Sequence, residues 1–360
     1  MKTFYRSNPE VIERGDRMKL GVISQNLAHL EFEEGLGYAQ GLGLQAVEVG
    51  ALGLWARNCC DIEKLTQDQG EVDRWLEAFA RHDLEISALG GHGAPLMPDP
   101  QVAAEYSREF RLTCKLMKMA GIRRLTLLAG LPEGAPGDKS PVWVTFADLP
   151  FFSDTLEWQW ENRLLPYWRE HGQIAADHGV TLCFELHNGD LIHNPITLMR
   201  LRNELGSVVA CNLDISHLWV QQIDPVEAIH YLGDAVQHVH AKDTRIHPHN
   251  LRLRGHCDSS NPENHAARTW NFTIPGWGHD ASEWRDFVTA LRLVGYDHVL
   301  SIEMECEFIE VIEGLEKSVA FLKPIVLDKP SGKKWWEIAG MESAGSLWRE
   351  SQDPGDGKGD

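Results

Sequence analysis

Eight short runs of apolar and β-branched residues, set apart by longer stretches of helical periodicity, limit this chain's fold more than any other feature of its sequence. The runs are KLGVIS (Lys19 to Ser24), LQAVEVG (Leu44 to Gly50), LEISAL (Leu84 to Leu89), RRLTLLAG (Arg123 to Gly130), VTLCFELH (Val180 to His187), VVACNLD (Val208 to Asp214), VQHVHA (Val236 to Ala241) and HVLSIE (His298 to Glu303). Between them lie amphipathic stretches such as GEVDRWLEAFARHD and AAEYSREFRLTCKLMKMAG, each closed by helix-stopping residues. Strands alternating with helices imply a parallel sheet, because each crossover helix returns the chain to the same edge. Eight such units predict a closed (β/α)8 TIM barrel, an α/β fold of about 250 residues plus insertions. An open doubly wound sheet is the second choice, but the early strands lack a G-x-G-x-x-G turn.

The chain has 360 residues, 43% of them hydrophobic and 24% charged, which is globular composition. A formal charge of −19 and the lack of any Lys/Arg cluster argue against a nucleic-acid partner. The seven cysteines are odd in number and have no paired spacing, so they read as reduced thiols in the cytoplasm. No signal peptide is visible at the N-terminus, and no run approaches the roughly 20 apolar residues of a membrane span. A soluble protein with no membrane partner is expected.

About fifty residues follow the fourth strand, and a similar stretch follows the seventh. In a barrel both insertions would lie over the C-terminal face, where active sites are built. The first holds LPEGAPGDKSPVWVTF and EWQWEN; the second holds DTRIHPHNLRLRGHCDSSNPENHAARTWNF and PGWGHD. Trp, His and Asn in such loops can stack on a sugar and hydrogen-bond its hydroxyls.

The last four strands end in metal-ligand types: Glu185 and His187, Asp214 followed by His217, His238 and His240, then Glu303 and Glu305. In a barrel, Glu185, Asp214, His240 and Glu303 would converge on one mouth. Three carboxylates in one cleft raise one another's pKa unless a positive charge compensates them. A divalent cation supplies that charge; a buried ion-pair network with Lys242 and Arg245 is the alternative. Three carboxylates and one imidazole suit Mn²⁺, with Co²⁺, Mg²⁺ and Zn²⁺ as other candidates.

The ordered motifs ELH, LDISH, HVHAKD, PGWGHD and GYDHVLSIEMECE, with ALGGHGAPLMPDP after the third strand, resemble the sugar phosphate isomerase/epimerase superfamily with the xylose isomerase-like TIM barrel. The resemblance spans about residues 18 to 325. It implies that Glu185, Asp214, His240 and Glu303 coordinate one divalent metal, usually Mn²⁺. It also implies that Glu185 and Glu303 flank a keto-sugar and exchange protons with it. His92, His187, His217 and Lys242 match positions that contact substrate in relatives. His238 reads instead as a packing or supporting histidine, and Glu305 as a rim acid.

The chemistry of the residues agrees. A cation that chelates a carbonyl and its neighbouring hydroxyl stabilises an enediolate, and a carboxylate within reach of the C–H serves as base. The expected function is therefore metal-dependent isomerisation or epimerisation of a keto-sugar or cyclic keto-polyol, a small carbohydrate partner. The alternatives are a lyase or dehydratase acting on inososes or 3-keto-glycosides, a non-catalytic sugar-binding protein, and the endonuclease branch of the barrel, which the charge disfavours. Residues 1–17 read as an N-terminal arm, 18–325 as the barrel, and 326–360 as an extension with a disordered polar end. Its Trp335, Trp336 and Trp348 could pack on the barrel or on a second copy in a homo-oligomer.

Overall fold

A computed structural model describes residues 17–53, 59–329, 332 and 335–338. Eight parallel strands close into a barrel: β1 (Lys19–Ile23), β2 (Ala46–Gly50), β3 (Glu85–Gly91), β4 (Arg124–Leu127), β5 (Thr181–Glu185), β6 (Val209–Asp214), β7 (Val236–Ala241) and, after two further strands, β10 (Val299–Ile302). The order around the barrel is β1-β10-β7-β6-β5-β4-β3-β2, so β1 pairs with both β2 and β10 and no barrel edge is left open. The expected (β/α)8 barrel is the observed fold.

Strand alternation divides the barrel wall into two unlike faces. Leu20, Val22, Val47, Val49, Leu125, Leu127, Leu182, Phe184, Leu213, Val239, Leu300 and Ile302 belong to one apolar core with helix residues such as Phe79, Phe110, Trp168, Phe287 and Leu315. The alternate positions are small or polar. Register aligns Gly21 with Ala46 and Ser301, Ser301 with His240, and His240 with Asp214. The hydrophobic core thus sits between barrel and helices, while the lumen carries polar groups.

Helix ends follow local rules. Asp99 caps Pro100–Ala120 through the Gln101 amide, and Gly121 closes that helix at φ +72°. Capping boxes start Pro195–Leu205 (Asn194 with Thr197) and Ala281–Leu293 (Asp280 with Glu283).

The two insertions are more structured than loops. After β4, helix Pro150–Gln159 continues through a π turn, Trp160–Leu164, into Leu165–Asp177. Pro166 has no amide proton for the Asn162 carbonyl, and the widened turn accommodates that missing bond. EWQWEN therefore belongs to the crossover helix, and Trp160 is 1% exposed with Arg200 stacked 4.0 Å from its ring. Its place in a sugar-binding wall is corrected to a place in the core. The insertion after β7 forms an antiparallel ribbon of β8 (Asp243–Ile246) and β9 (Trp270–Thr273), with helix Pro248–Arg254 between them.

Met18–Leu327 form one compact unit. Outside it, Trp335–Ile338 form a helical turn with Trp335 and Ile338 exposed. Residues 1–16 of the expected arm and Trp348 of the expected extension lie outside the described residues. Among the described residues, no helix is long and apolar enough to cross a membrane.

Candidate active site at the barrel mouth

Four strand ends supply the site. Glu185 is the last residue of β5, Asp214 the last of β6, His240 stands near the end of β7, and Glu303 follows β10 directly. All four are buried, and one donor atom from each lies within 4.8 Å of the others. His240 Nδ1 sits 3.2 Å from Glu185 Oε2 and 2.9 Å from Glu303 Oε2. These residues converge because parallel strands of a barrel end at one rim.

The remaining sequence-predicted residues surround them. His92 Nε2 lies 2.7 Å from Glu185 Oε2, and His217 Nε2 lies 3.1 Å from Glu185 Oε1 and 3.5 Å from Asp214 Oδ2. His217 Nδ1 makes a short hydrogen bond with Asn188 Oδ1. Lys242 Nζ is 2.9 Å from oxygens of Asp214, Glu303 and Glu305, and its ammonium rests 4.5 Å from the Phe272 ring centroid. Phe272, on β9, is the aromatic that the second insertion delivers to the site. His187 lies two residues beyond the end of β5, half-buried, with its ring 4.1 Å from that of His217. Glu305 is half exposed, and Arg245 is exposed and donates to the Trp277 carbonyl, away from the cluster.

Burial pushes the Glu185 carboxyl upward, yet His92 beside it and hydrogen bonds from His217 and His240 hold it well below the usual carboxylate range. Glu303 is likewise raised by burial but lowered on balance by Lys242 and His240. Burial opposes charge on His240 and Lys242, but carboxylates prevail. Glu48 and Glu303 raise His240 well above its ordinary value, and Asp214, Glu303 and Glu305 do the same for Lys242. Burial, with His217 nearby, draws His187 down to about 3, so it is a neutral imidazole.

The donor set fits a divalent cation. Ligand bonds of about 2.0–2.3 Å separate opposite donors by roughly 4–4.6 Å, close to the observed cluster. Asp214 Oδ2, fully buried, accepts no aligned hydrogen bond and faces only cationic or imidazole nitrogens among the contacts given above. Oxygen donors outnumber nitrogen three to one, which suits a hard ion.

Three participants were not read from the sequence. Glu48, in the middle of AVEVG on β2, is wholly buried and hydrogen-bonded to His238, His240 and Thr126. Asn212 donates to Glu185 Oε2 at 3.1 Å. Asp243 accepts from the amides of Gly276, Gly278 and His279 and from the His279 ring, tying HVHAKD to PGWGHD. A charged residue between valines was the available signal for Glu48.

Comparison with known proteins agrees with this architecture. The uncharacterized protein YfiH of Bacillus subtilis is 33% identical over 315 residues, covering 86% of this chain and 99% of that protein. Two solved structures share the fold. The probable 3-DHS dehydratase AsbF of Bacillus anthracis has TM-score 0.59 at 17% identity, over 85% of this chain and 99% of that one. The 3-keto-D-glucoside 4-epimerase YcjR of E. coli has TM-score 0.57 at 16% identity, over 86% and 100%. Residues 36–325 match a single family, and with its eight-stranded parallel barrel the chain belongs to the xylose isomerase-like TIM barrel family.

Proposed function

We propose that this protein is a divalent-metal-dependent isomerase or epimerase that moves a proton at the carbon beside a carbonyl in a keto-sugar or cyclic keto-polyol. The observation that carries this reading is the pairing of Glu185 and Glu303. They come from β5 and β10, with β6 and β7 between them, and both meet His240 Nδ1 within 3.2 Å. Two carboxyls held ionised on separate walls of one mouth can take a proton on one side of a substrate and return it on the other. Bound by Glu185, Asp214, His240 and Glu303, an ion such as Mn²⁺ supplies Lewis acidity at the sugar's carbonyl and hydroxyl oxygens. His92 and His217 orient Glu185 through its two oxygens. His187, kept neutral, and Lys242 offer hydrogen bonds to sugar hydroxyls.

A dehydratase outcome has one observation in its favour: the Lys242 ammonium stands 2.9 Å from Glu303, where it could assist a departing hydroxyl. Three carboxylates hold that ammonium charged, which suits hydrogen-bond donation better than proton release, so isomerisation is preferred.

The test is incubation of Mn²⁺-loaded protein with ketoses, inososes and 3-keto-glycosides in D₂O, followed by NMR and mass measurement. Carbon-bound deuterium in a rearranged sugar of otherwise unchanged composition is expected. Loss of water selects the dehydratase. The Glu303→Gln protein should turn over at least about 10²-fold more slowly while still binding metal; wild-type turnover there removes the acid–base assignment.

A further inference from the structure

Glu48 sits apart from the four strand ends that form the mouth. It projects from β2, separated from β7 by β1 and β10 around the barrel, and it is wholly buried. Its carboxylate nevertheless reaches His240: the two oxygens lie 3.1 and 3.0 Å from His240 Nε2. Oε2 also lies 2.7 Å from His238 Nε2, and Oε1 accepts from Thr126 Oγ1 at 2.5 Å. The Thr126 hydroxyl on β4, with only β3 between it and β2, therefore also holds the carboxylate.

The edge of the His240 ring that bears Nε2 is the one turned toward Glu48. The other nitrogen, Nδ1, is then the one turned toward Glu185 and Glu303. Glu48 thus holds the Nε2 edge and the Glu185 and Glu303 carboxylates face the Nδ1 edge, with the Asn212 amide nitrogen 3.3 Å from both ring nitrogens.

We propose that Glu48 is a positioning residue for metal binding: it holds the His240 ring so that Nδ1 faces the Glu185–Asp214–Glu303 donor set, with Thr126 as the brace that keeps Glu48 in place. This rests on the proposed metal-dependent function. An outer carboxylate of this kind fixes the tautomer and orientation of a ligating histidine, and its loss typically weakens metal binding 10- to 100-fold.

Glu48, His238 and His240 also bring donor atoms within 4.8 Å of one another, so an ion of their own is the competing explanation. Against it, the Glu48 oxygens are already engaged by three hydrogen-bond donors, and two histidines and a carboxylate without an open approach make a poor site.

The experiment is titration of metal-stripped protein with Co²⁺, followed by calorimetry and visible absorption, alongside thermal melting of the metal-free forms. Wild type should bind one ion per chain. Glu48→Gln should also bind one, about 10- to 100-fold more weakly and with shifted Co²⁺ bands. A merely structural Glu48 lowers the melting temperature but leaves affinity and spectrum unchanged, and that result overturns the inference. Two ions in wild type and one in Glu48→Gln also overturn it, since Glu48 would then be a ligand. Wild type that binds no Co²⁺ overturns the proposed function together with this inference, whereas unchanged affinity in Glu48→Gln overturns this inference alone. Should Glu48→Gln not fold, Thr126→Val, which removes only the brace, is expected to weaken Co²⁺ binding by about 10-fold, the lower end of outer-group effects; wild-type affinity in that protein rejects the proposal.

Discussion

Lys242 places one ammonium 2.9 Å from oxygens of three carboxylates, two of them on residues that are almost fully buried. Removing one member of a buried charge network costs more than the network contributes, because the remaining charges keep their desolvation penalty. Lys242→Met should therefore destabilise the metal-free protein by about 3 kcal/mol, and saturating Mn²⁺ should recover much of that loss. Chemical denaturation with and without Mn²⁺ measures both; an equal loss in the two conditions rules out charge compensation as the cause. The same residue-scale physics decides what could be read beforehand. Glu185, Asp214, His240 and Glu303 stood out because each ends an apolar run, and convergence followed from the fold. Glu48 and Asn212 lie inside strands, where one inward polar side chain gives no hint of which partner awaits it across the lumen.

At the scale of elements, Asp243 joins the end of β7 to the loop before helix Ala281–Leu293. Gly278 lies so close to this clasp that a Cβ there would stand 2.2 Å from the Thr244 carbonyl oxygen and 2.4 Å from Asp243 Oδ1. Gly278→Ala is expected to cost about 2–3 kcal/mol, the usual range for forced overpacking. Urea unfolding checks it, and a neutral result means that the clasp yields without strain. Helices Gln69–Arg81 and Pro100–Ala120 were legible from their periodicity, but the β8–β9 ribbon was not. DTRI and WNFT are four-residue segments of mixed polarity, and their pairing spans a separation that no local pattern records. The π turn was hidden for a related reason: Pro166 marks a defect in the helix but does not say how the backbone relieves it.

For the molecule as a whole, the eight runs were enough to give the barrel, because alternating apolar strands and amphipathic helices allow few ways of closing. Less legible was how much of the lumen would be polar. At the end of the barrel away from the site, His298 donates to the Ser87 carbonyl at 3.3 Å, and burial, with Arg124 nearby, pulls its imidazole down to about 3. The unfolded chain binds a proton there near pH 6.5 and the folded chain does not, so stability falls as pH drops from about 6.5 toward 3. Partial solvent contact discounts the ideal value, leaving roughly 2 kcal/mol lost by pH 4. His298→Gln should flatten that part of the stability–pH curve; an unchanged curve assigns the acid sensitivity elsewhere. The two-faced barrel wall also bears on how the protein can be altered. Outward residues such as Leu125, Val239 and Leu300 adhere to the helices, while the inward ones beside them hold the mouth and its supports. A laboratory selection for heat tolerance could therefore exchange outward side chains for others of similar volume across a whole shell of the molecule before turnover began to suffer.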